Sequence, residues 1–258
     1  MRTKNLEIDL LRNSFLSNNP NHVVIDDLFE RDFILECSKE FYEIPKENFI
    51  HYQNPLFEFG KSAMNDVGLM PEKLRSLFTF IHSPEFIELV QNITGIKDLL
   101  VDEKRWGGGL HMTTKEGYLA VHKDFNILPT SYQEEHQMLR CVNLIGYLNP
   151  NWKEQDGGDL EFWDESGETP IVKLEPKFNR WVLFDTRNNY HGHPNPYLGE
   201  SARISIASYY YIKTKVVEEK WMSTEYLKLP WMEDSEEYRK IRKDRADHKL
   251  RYKNLLGK

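Results

Sequence analysis

The chain has 258 residues, and 40% of them are hydrophobic and 13% aromatic, which is enough for a packed core and argues against a disordered chain. Lys and Arg number 34 against 41 Asp and Glu, and the net charge of −7 argues against a general nucleic-acid-binding protein. The two cysteines, Cys37 and Cys141, do not have CxxC spacing, so neither a disulfide framework nor a cysteine zinc site is indicated.

The hydropathy pattern gives no sign of a membrane or secretory segment. No apolar run approaches the roughly 18 residues of a membrane-spanning helix, and the first 16 residues contain charges and no apolar signal region. We therefore expect a cytoplasmic protein with no membrane segment and no nucleic-acid partner.

The first third of the chain contains three segments with the hydrophobic spacing of packing helices. The second follows Pro71, and the third begins at Ser83 and Pro84, where serine can cap the helix and proline can occupy its first turn. The apolar residues that define the three helices are Phe33, Ile34, Cys37 and Phe41; Leu74, Leu77, Phe78 and Ile81; and Phe86, Leu89 and Val90.

From about residue 98 the pattern changes to short β-rich runs that are separated by turn residues. This cadence predicts a mainly β protein, a β-sandwich or jelly roll in which the N-terminal helices cover one sheet. The runs are LLVDEKRW, GYLAVHKDF, RCVNLIGYLN, GDLEFWD, TPIVKL, RWVLFDT and RISIASYYYIK.

No repeat and no linker divides the chain, so we expect a single domain over residues 1–258. Within it we predict a helical support region at 1–97, a β core at 98–213 and a charged extension at 214–258. The last segment, KIRKDRADHKLRYKNLLGK, is predicted to be a solvated helix, with a tail that binds a partner or RNA as the alternative.

A histidine and an aspartate lie two residues apart in the stretch VHKDFN. Because alternate side chains of a strand share one face, His122 and Asp124 can bind the same ion. A third ligand can come from His191 or His193 in NNYHGHPNP, which directly follows the strand RWVLFDT. Two histidines and one carboxylate form the facial triad of non-haem Fe(II) oxygenases, and the lack of thiolate ligands disfavours a structural zinc site.

The last predicted strand begins with Arg203, and an arginine in an otherwise apolar strand is costly to bury without an anion. Alternation places Arg203 and Tyr209 on one face of this strand. In RCVNLIGYLN, alternation likewise places Cys141, Asn143 and Tyr147 on one face. We expect Asn143 and Tyr147 to join Arg203 in a pocket, where the guanidinium can hold a carboxylate through two parallel hydrogen bonds.

The order of these motifs resembles the catalytic core of the 2-oxoglutarate and Fe(II)-dependent dioxygenases, in their prolyl 4-hydroxylase-like branch. The resemblance covers about the C-terminal half of the chain. The motifs are HKD, RCVNLIGYLN, GGDLEF, LEPKFNRWVLFD, HGHP and RISIASYYY. It implies a double-stranded β-helix of the jelly-roll, cupin-like type.

The resemblance also implies roles for particular residues. His122, Asp124 and the first histidine of HGHP, His191, would bind Fe(II), while His193 would lie beside them or contact substrate. Arg203 would receive the distal carboxylate of 2-oxoglutarate with help from Tyr147. The resemblance also bears on two further positions. Tyr209 would lie near the site, and Met112 occupies the position where some relatives have another tyrosine that contacts the co-substrate.

The implied activity is hydroxylation of a carbon–hydrogen bond with O2 and 2-oxoglutarate as co-substrates and succinate and CO2 as products. The substrate would be a protein prolyl-type residue or a small metabolite, and the loop FNILPTSYQEEHQM is a predicted lid over it. Asp124 favours hydroxylation, because relatives that halogenate have a small residue there. The alternatives are a nonoxidative cupin-like metal enzyme and a catalytically silent jelly-roll binding protein.

Overall fold

The computed structural model describes residues 3, 6–128, 131, 135–187, 189–215, 224–229, 235–236 and 238–240. It is a mainly antiparallel β structure with helices in its N-terminal part. The α-helices are α1 (Ile8–Ser17), α2 (Arg31–Glu43), α3 (Glu72–Ile81) and α4 (Pro84–Thr94). The strands are β1 (His22–Asp26), β2 (Ile50–Asn54), β3 (Glu58–Met64), β4 (Leu100–Val101), β5 (Gly109–Lys123), β6 (Gln137–Tyr147), β7 (Leu160–Trp163), β8 (Pro170–Leu174), β9 (Arg180–Asp185), β10 (Tyr190–His193), β11 (Arg203–Thr214) and β12 (Glu225–Tyr226).

The three predicted helices are present as α2, α3 and α4. The Ser83 side chain accepts a hydrogen bond from the backbone of Phe86 at the start of α4, and Gly95 ends this helix in the left-handed conformation. The helices pack on the outer face of the sheet, where the Tyr210 hydroxyl donates to the carbonyl of Ile81 at 2.9 Å. Helix α1 and strands β1 to β3 also lie in this N-terminal part, and their short, charge-interrupted sequences gave no clear periodic signal.

The strands form a curled antiparallel sheet in the hydrogen-bonded order β1-β9-β6-β11-β5-β10-β7-β8. Strand β5 joins the two halves of this path, because residues 109–113 pair with β11 and residues 119–122 pair with β10. Between them β5 is irregular at Glu116, whose φ is 66°. The sheet therefore folds over itself as the predicted double-stranded β-helix, and each of the seven predicted runs contains a strand.

The two faces of the curled sheet have different surroundings. Leu144, Ile204 and Ile206 are buried in the hydrophobic core that includes the helices. Asn143 and Arg203, on the opposite face, line an internal cavity. This is the separation that strand alternation predicts, and it places polar side chains inside the double-stranded β-helix.

One expectation about these faces is wrong, since Cys141 does not share the cavity face with Asn143. Cys141 is buried in the core beneath the helices, because β6 contains a bulge at this point. Tyr210 pairs with Val142 and Tyr211 with Arg140, which leaves Cys141 as the extra residue.

Among the residues that the structure describes, no helix has both the length and the apolar character needed to cross a membrane. The predicted terminal helix, KIRKDRADHKLRYKNLLGK, lies outside the described residues except for its first position. Parts of the predicted lid, residues 129–130 and 132–134, are also outside them.

The contact between β6 and β9 gives a stability prediction. A Cβ added at Gly146 would lie 2.4–2.5 Å from the ring of Trp181, which is fully buried, so Gly146→Ala forces a packed ring to move. We expect Gly146→Ala to lower the free energy of unfolding by about 1–3 kcal/mol, the usual cost of overpacking, in a urea titration. Gly68→Ala is the matched control, because the added methyl group meets only the exposed carboxylate of Asp66, and an equal loss in both variants would contradict the packing argument.

Candidate metal centre and co-substrate pocket

The three predicted metal ligands lie together where β5 meets β10. His122 is paired with His191 across the two antiparallel strands, and Asp124 follows the end of β5 by one residue. The Nε2 atoms of His122 and His191 are 3.6 and 3.7 Å from the two carboxylate oxygens of Asp124. All three side chains are buried, and one ligand atom from each lies within 4.8 Å of the others, so they can hold one metal ion.

Backbone carbonyls orient both imidazoles. Nδ1 of His122 is 2.9 Å from the carbonyl of Ala120, and Nδ1 of His191 is 3.4 Å from the carbonyl of Asn189. A proton on each Nδ1 leaves the Nε2 lone pairs directed towards the space beside Asp124. Two neutral imidazoles and one carboxylate on one side of an ion are the donor set of a non-haem Fe(II) centre, so the residues present fit this metal.

The charges around the site favour the ligand forms of these residues. Burial lowers the pKa of His191 to about 4 and keeps its imidazole neutral. Burial opposes ionisation of Asp124, but the neighbouring His122 side chain and the charge of Arg140 outweigh it and lower the pKa of Asp124 below its usual value. The carboxylate is therefore ionised and available to a cation.

Arg140 is a site residue that strand alternation did not find. Its guanidinium is 1% exposed and lies between the rings of Phe125 and Tyr209, at 3.7 and 3.6 Å from their centroids. One terminal nitrogen is 3.5 Å from Asp124, and another donates to the Tyr211 hydroxyl at 3.1 Å. The bulge at Cys141 turns this arginine to the side of the sheet where Asp124 lies, and no feature of the sequence marks that bulge.

The predicted co-substrate anchor lies on the neighbouring strands β6 and β11. Nε of Arg203 donates to the carbonyl of Gly158 at 2.7 Å, and a terminal nitrogen is 3.4 Å from the Tyr147 hydroxyl. Gly158 has a φ of 78°, and a Cβ there would come within 2.9 Å of the Arg203 side chain, so this turn of GGDLEF needs glycine. Burial raises the pKa of Tyr147, and its hydroxyl therefore stays protonated.

Three of the other predicted site residues, Asn143, His193 and Tyr209, line the same cavity. Met112 does not: its side chain packs against the core beneath the helices. The preceding residue, His111, lines the cavity instead, and burial, together with the charges of Lys61 and Arg203, lowers its pKa to about 3.

The cavity has a volume of about 370 Å³ and opens beside the strands β2, β3 and β12. Aromatic side chains of Tyr52, Trp106 and Tyr226 line this mouth. Glu58 and Lys61 add a charge pair with a separation of 3.3 Å, and the Tyr226 hydroxyl donates to Glu58 at 3.0 Å. The mouth therefore combines aromatic side chains with one ion pair.

Residues 107–211 match the family model described as the 2OG-Fe(II) oxygenase superfamily. The matched segment contains His122, Asp124, His191 and Arg203, and the match confirms the resemblance indicated by the order of the motifs. No curated protein sequence matches the chain.

Solved structures share the fold. A prolyl hydroxylase from Trichoplax adhaerens, in complex with a hypoxia inducible factor peptide fragment, is 20% identical with a TM-score of 0.55, over 79% of this chain and 88% of its own. A Pseudomonas putida prolyl-4-hydroxylase is 14% identical with a TM-score of 0.56, over 80% of this chain and 100% of its own. HygX from Streptomyces hygroscopicus, with nickel, 2-oxoglutarate and hygromycin B bound, is 14% identical with a TM-score of 0.50, over 78% and 85% of the two chains.

The geometry of the three candidate ligands gives a prediction for metal binding. His122→Ala, Asp124→Ala and His191→Ala should each bind Fe(II), or Mn(II) as a redox-silent substitute, far more weakly than the wild type, because each removes one of three protein ligands. His193→Ala is the matched control, and it should retain more metal than His191→Ala. Metal content after gel filtration of the folded variants measures this, and equal retention in the two histidine variants would refute the choice of His191.

The burial of Arg140 gives a second prediction, for stability. Arg140→Met leaves the buried Asp124 carboxylate without its neighbouring guanidinium, so the metal-free protein should lose about 3 kcal/mol of unfolding free energy. Arg187→Met is the matched control, because Arg187 pairs with Asp185 at the surface, and it should cost less than about 1 kcal/mol. Chemical denaturation with and without Mn(II) tests the charge argument: the metal should stabilise Arg140→Met more than the control.

Proposed function

We propose that this protein, a member of the 2OG-Fe(II) oxygenase superfamily, hydroxylates a carbon–hydrogen bond of a prolyl-type residue or a small metabolite. One oxygen atom of O2 would enter the product as the hydroxyl group and the other would enter succinate, while C1 of 2-oxoglutarate leaves as CO2. The observation that carries the proposal is the presence, in one cavity, of a buried His-Asp-His cluster and a buried arginine suited to a dicarboxylate.

His122, Asp124 and His191 would hold the iron through two imidazole nitrogens and one carboxylate oxygen, the donor set of the non-haem Fe(II) oxygenases. When bound, iron supplies the redox chemistry that couples decarboxylation of 2-oxoglutarate to oxygen activation. The carbonyls of Ala120 and Asn189 keep the imidazoles in the orientation that iron binding needs.

Arg203 and Tyr147 would bind the distal carboxylate of 2-oxoglutarate. Because Nε of Arg203 donates its hydrogen bond to the carbonyl of Gly158, the terminal nitrogens are the donors that can face the ligand. Both Arg203 and Tyr147 are at most 5% exposed, so a carboxylate there would be shielded from water and its interaction with the guanidinium would be strong. Asn143 lies on the same face and would contribute a further polar contact.

The primary substrate would enter through the mouth that Tyr52, Trp106 and Tyr226 line. Flat aromatic side chains suit a neutral ring, as in a prolyl residue or a cyclic metabolite, better than a highly charged group. The structures that share this fold include one with a peptide and one with hygromycin B, and both classes of substrate fit the proposal.

The two alternatives from the sequence are less well supported. A nonoxidative cupin-like enzyme has no use for the buried Arg203 and Tyr147, and a silent binding protein has no use for a complete set of metal ligands. The family match to the 2OG-Fe(II) oxygenases favours the oxidative activity over both.

The anchor is tested by titrating 2-oxoglutarate into anaerobic, Fe(II)-loaded protein and following the visible charge-transfer band of the complex. Arg203→Met removes the charge and the donors, so affinity should fall about ten- to a hundredfold, or roughly 1.5–3 kcal/mol, while iron stays bound. Tyr147→Phe should cost less, about 1 kcal/mol. Arg187→Met is the matched control and should bind like the wild type; if Arg203→Met also does, the anchor assignment is incorrect.

The class of substrate is tested by mass spectrometry. Proline-containing peptides and cyclic metabolites are incubated in separate pools with the protein, Fe(II), 2-oxoglutarate and ¹⁸O₂. A substrate should gain one labelled oxygen, and the gain should disappear without 2-oxoglutarate and in Asp124→Ala. Succinate that forms in every pool at the same slow rate, with no labelled product, would show that the true substrate is in neither class.

A further inference from the structure

We propose that His193 is a third binding group for the distal carboxylate of 2-oxoglutarate, beside Arg203 and Tyr147. The inference rests on the proposed function and adds a residue to its co-substrate pocket. His193 is the last residue of β10, lines the cavity and is 5% exposed. It lies two residues beyond His191, on the same face of the strand.

The hydrogen bonding of His193 is incomplete within the part of the chain that the structure describes. Its Nδ1 atom is buried with no hydrogen-bond partner among these residues. Its Nε2 atom is 3.4 Å from the hydroxyl oxygen of Thr113, which is at the outer limit of a hydrogen bond. Buried polar groups in folded proteins are nearly always paired, so the imidazole is best explained by a ligand that completes its hydrogen bonds.

The position of His193 indicates which end of 2-oxoglutarate it would contact. Thr113 is paired with Arg203 across β5 and β11, so the contact with Thr113 places His193 next to the arginine. His193 pairs with Leu119 rather than with His122, and it is therefore displaced along the strand from the metal centre. A group bound here would be the end of 2-oxoglutarate that is remote from the metal.

The charges of this region select an anion. Arg203 and Lys61 are cations that line the cavity together with His193. An imidazole carries at least one N–H donor, which a carboxylate oxygen can accept. Arg203, the Tyr147 hydroxyl and His193 would then surround one carboxylate with three sources of donors.

Comparing the binding of two ligands distinguishes a contact between His193 and the distal carboxylate from an effect of His193 on the metal centre. 2-Oxoglutarate and pyruvate share the 2-oxo acid group that binds the metal, but pyruvate lacks the distal carboxylate. Isothermal titration of anaerobic, Mn(II)-loaded protein with each ligand gives affinities that do not depend on turnover. His193→Leu should weaken 2-oxoglutarate about tenfold, the effect of one charge-assisted hydrogen bond, and leave pyruvate unchanged.

A matched pair of variants makes the test independent of His193→Leu, which removes a polar group from the core. His193→Gln keeps an N–H donor and should bind 2-oxoglutarate more tightly than His193→Glu, which has the same shape and a negative charge. Both should bind pyruvate equally, and this also shows that their metal centres are intact.

Each other result has a distinct meaning. Unchanged binding of 2-oxoglutarate in His193→Leu, or an equal loss of both ligands, would overturn the assignment of His193, as would equal binding of 2-oxoglutarate by the Gln and Glu variants. If the wild type itself binds no 2-oxoglutarate, the proposed function fails and the role of His193 fails with it.

Discussion

The pairing of β5 with β10 is the constraint on which the site depends. It sets His122 directly opposite His191, and Asp124 then reaches both rings from the end of β5. The close approach of the strands needs Gly192, because a Cβ there would lie 2.8 and 2.9 Å from two carbonyl oxygens of β5. A shift of one residue in this register would turn one imidazole to the opposite face and separate the ligands. The sequence HGH therefore contains both a candidate metal ligand and the glycine that brings its strand into position.

Strand alternation was sufficient to predict much of the fold and that Arg203 and Tyr147 lie together, because period-2 patterns report directly which side chains share a face. It failed where the backbone departs from that period. The bulge at Cys141 reverses the orientation of Arg140. The backbone is also irregular at Glu116, so counting residues back from His122 along β5 does not show which side chains face the cavity. His111 faces it, and Met112 does not. Strand β10 was not foreseen either, since histidine, glycine and flanking turn residues carry little β signal.

Two buried arginines, Arg140 and Arg203, have different surroundings, and the difference supports the separate roles proposed for them. Arg140 lies between two aromatic rings and has the Asp124 carboxylate 3.5 Å away, so its charge is compensated within the protein. The hydrogen bonds of Arg203 to the described residues go to neutral oxygens of Gly158 and Tyr147. A buried cation whose described hydrogen bonds go to neutral oxygens is costly, and an anionic co-substrate would offset that cost. This argument supports the proposal that Arg203 binds 2-oxoglutarate, while Arg140 stabilises the Asp124 carboxylate.

The segments around the mouth lie outside the part of the chain that matches the oxygenase family. Strand β12 pairs with the end of β5, which places the ring of Tyr226 5.7 Å from that of His122, and β3 pairs with β5 along most of its length. The hydrogen bond from Tyr226 to Glu58 connects these two strands across the opening. The region after residue 213, predicted as a charged extension, thus contributes to the cavity. The candidate groups for metal and 2-oxoglutarate come from residues 107–211, whereas the mouth comes largely from β2, β3 and β12. We therefore expect changes in these flanking strands to alter substrate choice while the oxidative chemistry is kept.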